Sequence, residues 1–299
     1  MTAIKVVFQG EPGANSHIAV TRAFPEADAV ACATFEDCFA AVENGTATYA
    51  MIPIENSVAG RVADIHTLLP SAAVHFVGEH FLPVRHQLLA LPGATIGEIA
   101  TVHSHVQALG QCRQRLRRIG ITPVVAADTA GSARMVAETG DPTRAAIAST
   151  LAAEIYGLEI LAADIEDETH NTTRFVIMAA EPQPIPVGQP AMTSFLFRVR
   201  NVPASLYKAM GGFATNGVNI VKLESYQLGG KFFATLFYAD VEGHADEPNV
   251  ALAFEELRFF CAEFRVLGTY PASPYRASIR EPEANAVLRP KTPQTPSNA

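Results

Sequence analysis

Four prolines fall within ten residues at 181-EPQPIPVGQP-190. Proline fixes φ and offers no backbone N–H, so neither a helix interior nor a central strand runs through such a segment. The chain is therefore expected to divide there, with residues 1–180 in one block, 181–190 as a linker and 191–272 in a second block. A length of 299 residues suits two domains, and 48% hydrophobic residues suffice for each block to bury its own core. A cut in the linker is then expected to leave a working N-terminal fragment.

The two blocks carry different patterns. Up to about Ile160, strand-like runs (KVVF, YAMIPI, IATVHS, PVVAA, AAIAS) alternate with helical ones (FEDCFAAVENG, VQALGQCRQRLRRIG, SARMVAETG). Gly45 and Gly120 stand where left-handed helix caps belong. Such alternation predicts an α/β fold with largely parallel sheets. The long apolar stretch from Val74 to Leu91 is expected to cross between two lobes, and the strand in 169-THNTTRFVIM-178 to return to the first, leaving a cleft. After the linker the pattern restarts with MTSFLFRVR, PASLYKAMGGFATNG, VNIVKLESYQL, KFFATLFYADVEG, NVALAFEELRFFCAEF and FRVLGTYP, the middle strands joined through Gly229-Gly230. The order βαββαβ is the ferredoxin-like split arrangement. Residues 273–299, rich in Pro, Ala, Ser and Asn, read as a disordered tail.

Charge and cysteine usage exclude several classes. A formal net charge of −8 argues against a nucleic-acid partner, which needs a basic face. No uncharged apolar run reaches membrane-spanning length, and MTAIKVVFQG has no secretory character. Cys32, Cys38, Cys112 and Cys261 are scattered without a C-x-x-C pair, as expected of reduced, packed thiols in a cytoplasmic protein.

Three motifs carry chemistry. In 51-MIPIENSVAGRV-62, Glu55, Asn56 and Ser57 follow a strand at its carboxyl edge, where open α/β sheets bind ligands; the alternative is an Asx turn capping a helix that starts near Arg61. In 100-ATVHSHVQALGQC-112, Ser104 is placed as a helix N-cap with Gln107 completing a capping box. Gln107 and Gln111 share a face that either meets a ligand or is merely solvated. His103 and His105 lack a third ligand at a familiar spacing, so no metal site is expected. In THNTTRFVIM, adjacent Thr172 and Thr173 point to opposite faces of an extended chain, so one of them can look into a cavity. The Gly-rich turn in 9-QGEPGANSHIAV-20 lacks nucleotide-binding patterns. Acidic 164-DIEDE-168 reads as a solvated loop, or as a cover over the cleft.

Together IENS, HSHVQALGQC and NTTRF resemble the prephenate dehydratase family, from about Ile4 to Ala180, and the βαββαβ block resembles the ACT regulatory domain that usually follows. The resemblance implies a two-lobed catalytic domain of the periplasmic-binding-protein type, converting prephenate to phenylpyruvate, water and carbon dioxide without metal or organic cofactor. It implies Thr173 as the catalytic hydroxyl, with Glu55 as a relay if burial raises its pKa. Asn56, Ser57, Ser104, Gln111, Arg174 and Phe175 would then line the cleft, Arg174 either meeting a substrate carboxylate or holding the 164–168 loop. In the second block it implies L-phenylalanine bound between Asn201, Ala204, Ser205 and Leu206 on one side and Glu224 and Ser225 on the other, within a homodimer or homotetramer. There 203-PASL-206 and 224-ESYQ-227 stand where the family usually has Gly-Ala-Leu and Glu-Ser-Arg-Pro. Asn15 stands where many members have an aromatic residue. Two other readings are an arogenate dehydratase and a two-lobed small-molecule-binding protein; the absence of a signal peptide and the appended block count against the second.

Overall fold

The computed structural model describes residues 4–227 and 236–279. The chain opens with β1 (Lys5–Gln9), α1 (Asn15–Ala23), β2 (Asp28–Cys32), α2 (Phe35–Glu43), β3 (Tyr49–Asn56), the short β4 (Gly60–Arg61), α3 (Ala63–Leu68) and β5 (His75–Pro83). It then crosses to a second lobe built from β6 (Gln87–Ala90), β7 (Thr101–His105), α4 (Val106–Gln111), α5 (Arg113–Ile119), β8 (Thr122–Ala126), α6 (Thr129–Thr139), β9 (Arg144–Ala148), α7 (Thr150–Tyr156) and β10 (Glu159–Ala162). β11 (Thr172–Ala179) returns to the first lobe and pairs antiparallel with both β3 and β5. The strand orders are β2-β1-β3-β11-β5, with β4 beside β3, and β10-β6-β9-β7-β8. Each sheet is mixed: β1 pairs β2 and β3 in parallel, as β7 pairs β8 and β9, but the other half of each sheet is antiparallel, which corrects the expectation of largely parallel sheets. The molecule is thus an α/β protein of two lobes joined by two chain crossings.

Local chemistry explains most boundaries. Thr34 and Asp37 form a reciprocal capping box at the start of α2, and Gly120 ends α5 at φ 82°. The helix expected over 106–119 is two helices, broken at Cys112, whose φ of −111° leaves the α region.

The third unit runs β12 (Ala191–Val199), α8 (Ser205–Thr215), β13 (Ile220–Tyr226), β14 (Leu236–Glu242), α9 (Pro248–Phe260), β15 (Cys261–Pro271) and a final short α10 (Pro274–Ser278). Its sheet order β13-β14-β12-β15 is the ferredoxin-like arrangement. The Gly229-Gly230 turn lies outside the described residues. α9 stops at Phe260, short of the expected Phe264, because pairing with β12 begins at Cys261.

One face of this sheet is covered by α8 and α9 around Phe195, Phe213 and Phe254. The other face does not form a separate core. Met192, Leu196, Leu236, Tyr238, Leu267 and Tyr270 pack into the same cluster as Val7, Ile52, Val74, Phe76 and Val176 of the first lobe. The expectation of two independent cores is therefore corrected: the linker joins blocks that share one. Gly268 permits this approach, since a Cβ there would lie 2.0 Å from the Phe76 carbonyl oxygen. Arg265 adds donors to the carbonyls of Leu69, Ala72 and Val74. The tail expectation is corrected over 273–279. Ser273 caps α10, whose Tyr275 stacks on Phe81 at 4.8 Å; residues 280–299 lie outside the described residues. Among the described residues no helix is long and apolar enough to cross a membrane.

Candidate active site

A cleft of about 260 Å³ opens between the lobes. The β1–α1 turn, β3 and β11 wall it on one side with Gln9, Asn15, Ser16, Asn56, Thr173 and Phe175, and the second lobe supplies His86, His105, Gln107, Gln111, Asp128 and Thr129. Among the described residues no lysine or arginine lines it. The Gly-rich turn reaches the second lobe directly. Ser149 Oγ donates to the Gly13 carbonyl at 2.5 Å, and a Cβ on Gly13 would come 2.7 Å from Ala152 Cα.

Thr173 is held by a defined chain of hydrogen bonds. Asn56 Oδ1 accepts from the backbone N–H groups of Val58 and Ala59 at 3.0 and 2.8 Å, which fixes its amide. Asn56 Nδ2 then donates to Thr173 Oγ1 at 2.9 Å and to Asn171 Oδ1 at 2.8 Å. Because Oγ1 is an acceptor in this bond, its own hydrogen is free to point into the cleft. Asn171 Nδ2 donates to Gln111 Oε1 at 3.0 Å, and His86 Nε2 lies 2.7 Å from the same oxygen. An amide oxygen only accepts, so His86 Nε2 carries the proton. Burial lowers the His86 pKa against the raising effect of Gln111 and Glu166, leaving the ring neutral at pH 7. With Gln111 Oε1 occupied twice, its NH₂ group is left to face the cleft.

Helix ends complete the donor set. α1 begins at Asn15 without a side-chain cap, so the N–H groups of its first turn meet the cleft beside Asn15 and Ser16. Asp128 caps α6 by accepting from Gly131 N at 2.6 Å. Phe175, 1% exposed, adds an apolar wall.

Several expected roles fall elsewhere. Ser104 is fully buried, and its hydroxyl donates to the Ile147 carbonyl at 2.7 Å. The N-cap of α4 is His105, one residue later than expected, because β7 goes on pairing with β8 as far as His105. Ser57 Oγ donates to the His170 carbonyl and accepts from Thr172 N, tying the IENS loop to the strand behind the cleft. Arg174 turns away from the cleft and from the 164–168 loop, and is 2% exposed among Glu55, Glu79 and Asp240. Glu55 is not a proton-carrying relay. Burial pushes its pKa up, but Arg174 and Lys222 outweigh this and hold it below the usual carboxylate range. The 164-DIEDE-168 loop is only partly solvated, with Asp164 and Glu168 exposed. Glu166 pairs with Arg85 at 2.7 Å with its side chain 2% exposed, and Asp167 accepts from Gln114 N.

Thr172 and Thr173 do face opposite ways: Thr173 lines the cleft, whereas Thr172 Oγ1 lies 3.4 Å from Tyr275 OH behind it. His86, His105, Asp128 and Thr129 were not foreseen. His86, Asp128 and Thr129 lie outside the three motifs, whereas His105 lies inside HSHVQALGQC and Asn171 inside NTTRF.

In the third unit, Ala204 adopts φ 62° as the residue before α8. Glycine takes that conformation without penalty, so the alanine is strained where the resembled motif has glycine. Glu224 faces the first lobe, pairing with Lys222 at 3.2 Å and Arg61 at 3.6 Å, while Ser225 is exposed and its carbonyl accepts from Arg61. Tyr226 stacks on His66 at 4.4 Å. Asn201 is exposed, Ser205 buried and Leu206 half-buried at the start of α8.

Comparison with known proteins agrees with this geometry. The family model of prephenate dehydratase matches residues 6–183. A bifunctional N-acyl-homoserine lactone acylase/prephenate dehydratase of Komagataeibacter europaeus is 51% identical over 272 residues, covering 91% of this chain and 97% of that protein. Arogenate dehydratase/prephenate dehydratase 1 of Arabidopsis thaliana is 39% identical, covering 90% of this chain and 72% of that protein. A solved prephenate dehydratase of Arthrobacter aurescens in complex with L-Phe superposes with a TM-score of 0.83 at 28% identity, covering 90% of each chain. Motif order, cleft and relatives converge: the chain belongs to the prephenate dehydratase family.

Proposed function

We propose that the cleft carries out decarboxylative dehydration of prephenate with Thr173 as the donor to the departing hydroxyl. The bond to the ring carboxylate breaks and its electron pair completes the aromatic ring. The ring C–O bond breaks, and the hydroxyl takes up a proton to leave as water beside carbon dioxide and phenylpyruvate. The observation that carries this reading is the Asn56–Thr173 bond, in which Oγ1 accepts, so that its hydrogen is left available to a group in the cleft. A hydroxyl so placed strengthens its bond as charge develops on the leaving oxygen. The NH₂ of Gln111 and the free N–H groups of α1 suit the two carboxylates, and Phe175 the ring. Incubation with prephenate should yield phenylpyruvate, read by its ultraviolet absorbance; no product with the full chain would overturn the reading.

A second substrate is favoured by the Asp128 carboxylate in the cleft wall, which suits the ammonium group of arogenate; parallel kcat/KM values for the two substrates decide. The 51% identity to a protein named also as an N-acyl-homoserine lactone acylase supports a trial of that substrate, with release of free homoserine lactone as the readout.

The third unit is proposed to act as an ACT regulatory domain that binds L-phenylalanine in a homodimer or homotetramer. The likeness to a structure solved with L-Phe and the left-handed Ala204 support it. Inhibition titrated against phenylalanine, with mass by light scattering, tests both; an unresponsive monomer would end the proposal.

A further inference from the structure

Arg174 sits between Thr173 and Phe175, both cleft walls, yet its side chain enters the junction with the third unit. Its Nε donates to Glu79 at 2.8 Å, Nη1 to Glu55 at 3.0 Å and to Asp240 at 2.5 Å, and Nη2 to Tyr270 OH at 2.9 Å. Each partner is itself anchored. Asp240, fully buried, accepts from Ser194 Oγ at 2.5 Å and Tyr238 OH at 2.6 Å. Tyr270 OH lies 2.7 Å from Ser194 Oγ. Glu79, its side chain also fully buried, accepts from Arg276 Nε and Nη2 at 2.6 and 2.8 Å and from Ser273 N at 2.9 Å. Lys222 of β13 holds the second oxygen of Glu55 at 2.7 Å. The cations Arg174, Arg276 and Lys222 thus face the anions Glu55, Glu79 and Asp240 in one network, which continues from Lys222 through Glu224 to Arg61.

The backbone gives a reason for such anchoring. Against β3, Arg174 lies opposite Glu55 but Phe175 opposite Pro53, so the ladder shifts register at this point. The ladder to β5 stays regular from Thr172 to Ile177, so the irregularity loosens only the β3 edge, the edge that carries Asn56 and Glu55. We propose that Asp240, Tyr270 and Arg276 are positioning residues for the dehydration: they hold Arg174 and Glu79, and so set where the Thr173 hydroxyl points. The third unit is then part of the catalytic support as well as an appendage. This rests on the assignment of Thr173 as the donor.

The contrast is with network-free docking. Arg265 also joins the third unit to the first lobe, but through carbonyls of the segment between α3 and β5, and among the described residues it makes no bond to β11. Misplacing a reacting group by about 1 Å costs on the order of a hundredfold. At a temperature where circular dichroism shows the enzyme folded, Tyr270→Phe, which removes one oxygen and no charge, should lower kcat about tenfold with KM nearly unchanged. Asp240→Asn should fall further, and Arg276→Gln should follow Tyr270→Phe. Arg265→Gln should lower the melting temperature and leave kcat alone. In a Thr173→Val background, Tyr270→Phe should cost nothing more, because it acts through the missing hydroxyl. Parental kcat in folded Tyr270→Phe and Arg276→Gln enzymes would overturn the proposal, whether or not Asp240→Asn folds. So would an equal kcat loss in Arg265→Gln, or full additivity with Thr173→Val. A Thr173→Val enzyme with parental kcat would instead overturn the donor assignment itself.

Discussion

Replacing Thr173 with valine isolates the hydroxyl. Valine keeps the β-branched shape that suits a strand, so β11 is left in place. Asn56 Nδ2 retains Asn171 Oδ1 at 2.8 Å and the Thr172 carbonyl at 3.3 Å, so its amide is not stranded. The change in stability should then stay near or below about 1 kcal/mol. The catalytic loss is larger, because the hydrogen freed by the Asn56 bond has no substitute in the cleft wall at that point. Removal of one such donor costs about 2.7–4 kcal/mol, or 10²–10³ in kcat. KM should hardly move, since the bond gains its strength only as the leaving oxygen acquires charge. Thr173→Ser should restore most of the rate. The assay is initial phenylpyruvate formation over a range of prephenate concentrations, with folding checked by circular dichroism. A folded Thr173→Val enzyme whose kcat lies within about threefold of the parent, or whose loss appears wholly in KM, would refute the reasoning.

Ser104→Ala should cost about 1 kcal/mol of stability through the lost bond to the Ile147 carbonyl and leave KM unchanged; a raised KM would return Ser104 to the cleft. His66 is buried with both ring nitrogens unpartnered, and burial, helped by Lys222 and Arg61, lowers its pKa from 6.5 to about 4. The folded form then binds fewer protons than the unfolded one between those values, so stability is full above pH 6.5 and declines as pH falls toward about 4, by roughly 3 kcal/mol at most. His66→Phe keeps the stack on Tyr226 and should flatten that part of a urea-denaturation pH series; an unchanged slope would assign the decline to carboxylates. A fragment ending at residue 185 should be unstable and nearly inactive. It loses Met192, Leu196, Leu236, Tyr238, Leu267 and Tyr270 from the shared core, at roughly 1.5–3 kcal/mol per buried side chain against a typical stability of about 5–15 kcal/mol. A fragment melting with the full chain would show that the cores are separable.

Much of the cleft was legible because its residues sit in short motifs at strand ends. Asn56, Gln111, Thr173 and Phe175 reach it from IENS, HSHVQALGQC and NTTRF, and the period of two in a strand put Thr172 and Thr173 on opposite faces without saying which of them meets the cleft. The same period could not say what covers the other face. Arg174 and Glu55 were misread because their partners Asp240, Tyr270 and Lys222 lie in another unit, far along the chain, and no local pattern encodes that contact. The pKa of Glu55 turned on those partners, so it moved down where burial alone predicted up. Ser104 failed by one register step, since β-pairing to Ala126 carried β7 through the expected cap. The continuous core was hidden by composition, which counts apolar residues but not which of them face one another.

The place of β11 in the first sheet also bears on how the chain is made. β3 and β5 are neighbours only through β11, which leaves the ribosome roughly a hundred residues after β5, on the order of 5–20 s later at common synthesis rates. Over that interval both strands have an unpaired edge, while the whole second lobe, contiguous in sequence, is already available to fold. The last-arriving strand of the catalytic block is thus the one that closes its first sheet and delivers Thr173. Nascent chains stalled before residue 172 would carry a finished lobe beside an open sheet, with two sticky edges exposed to pairing with the wrong partner.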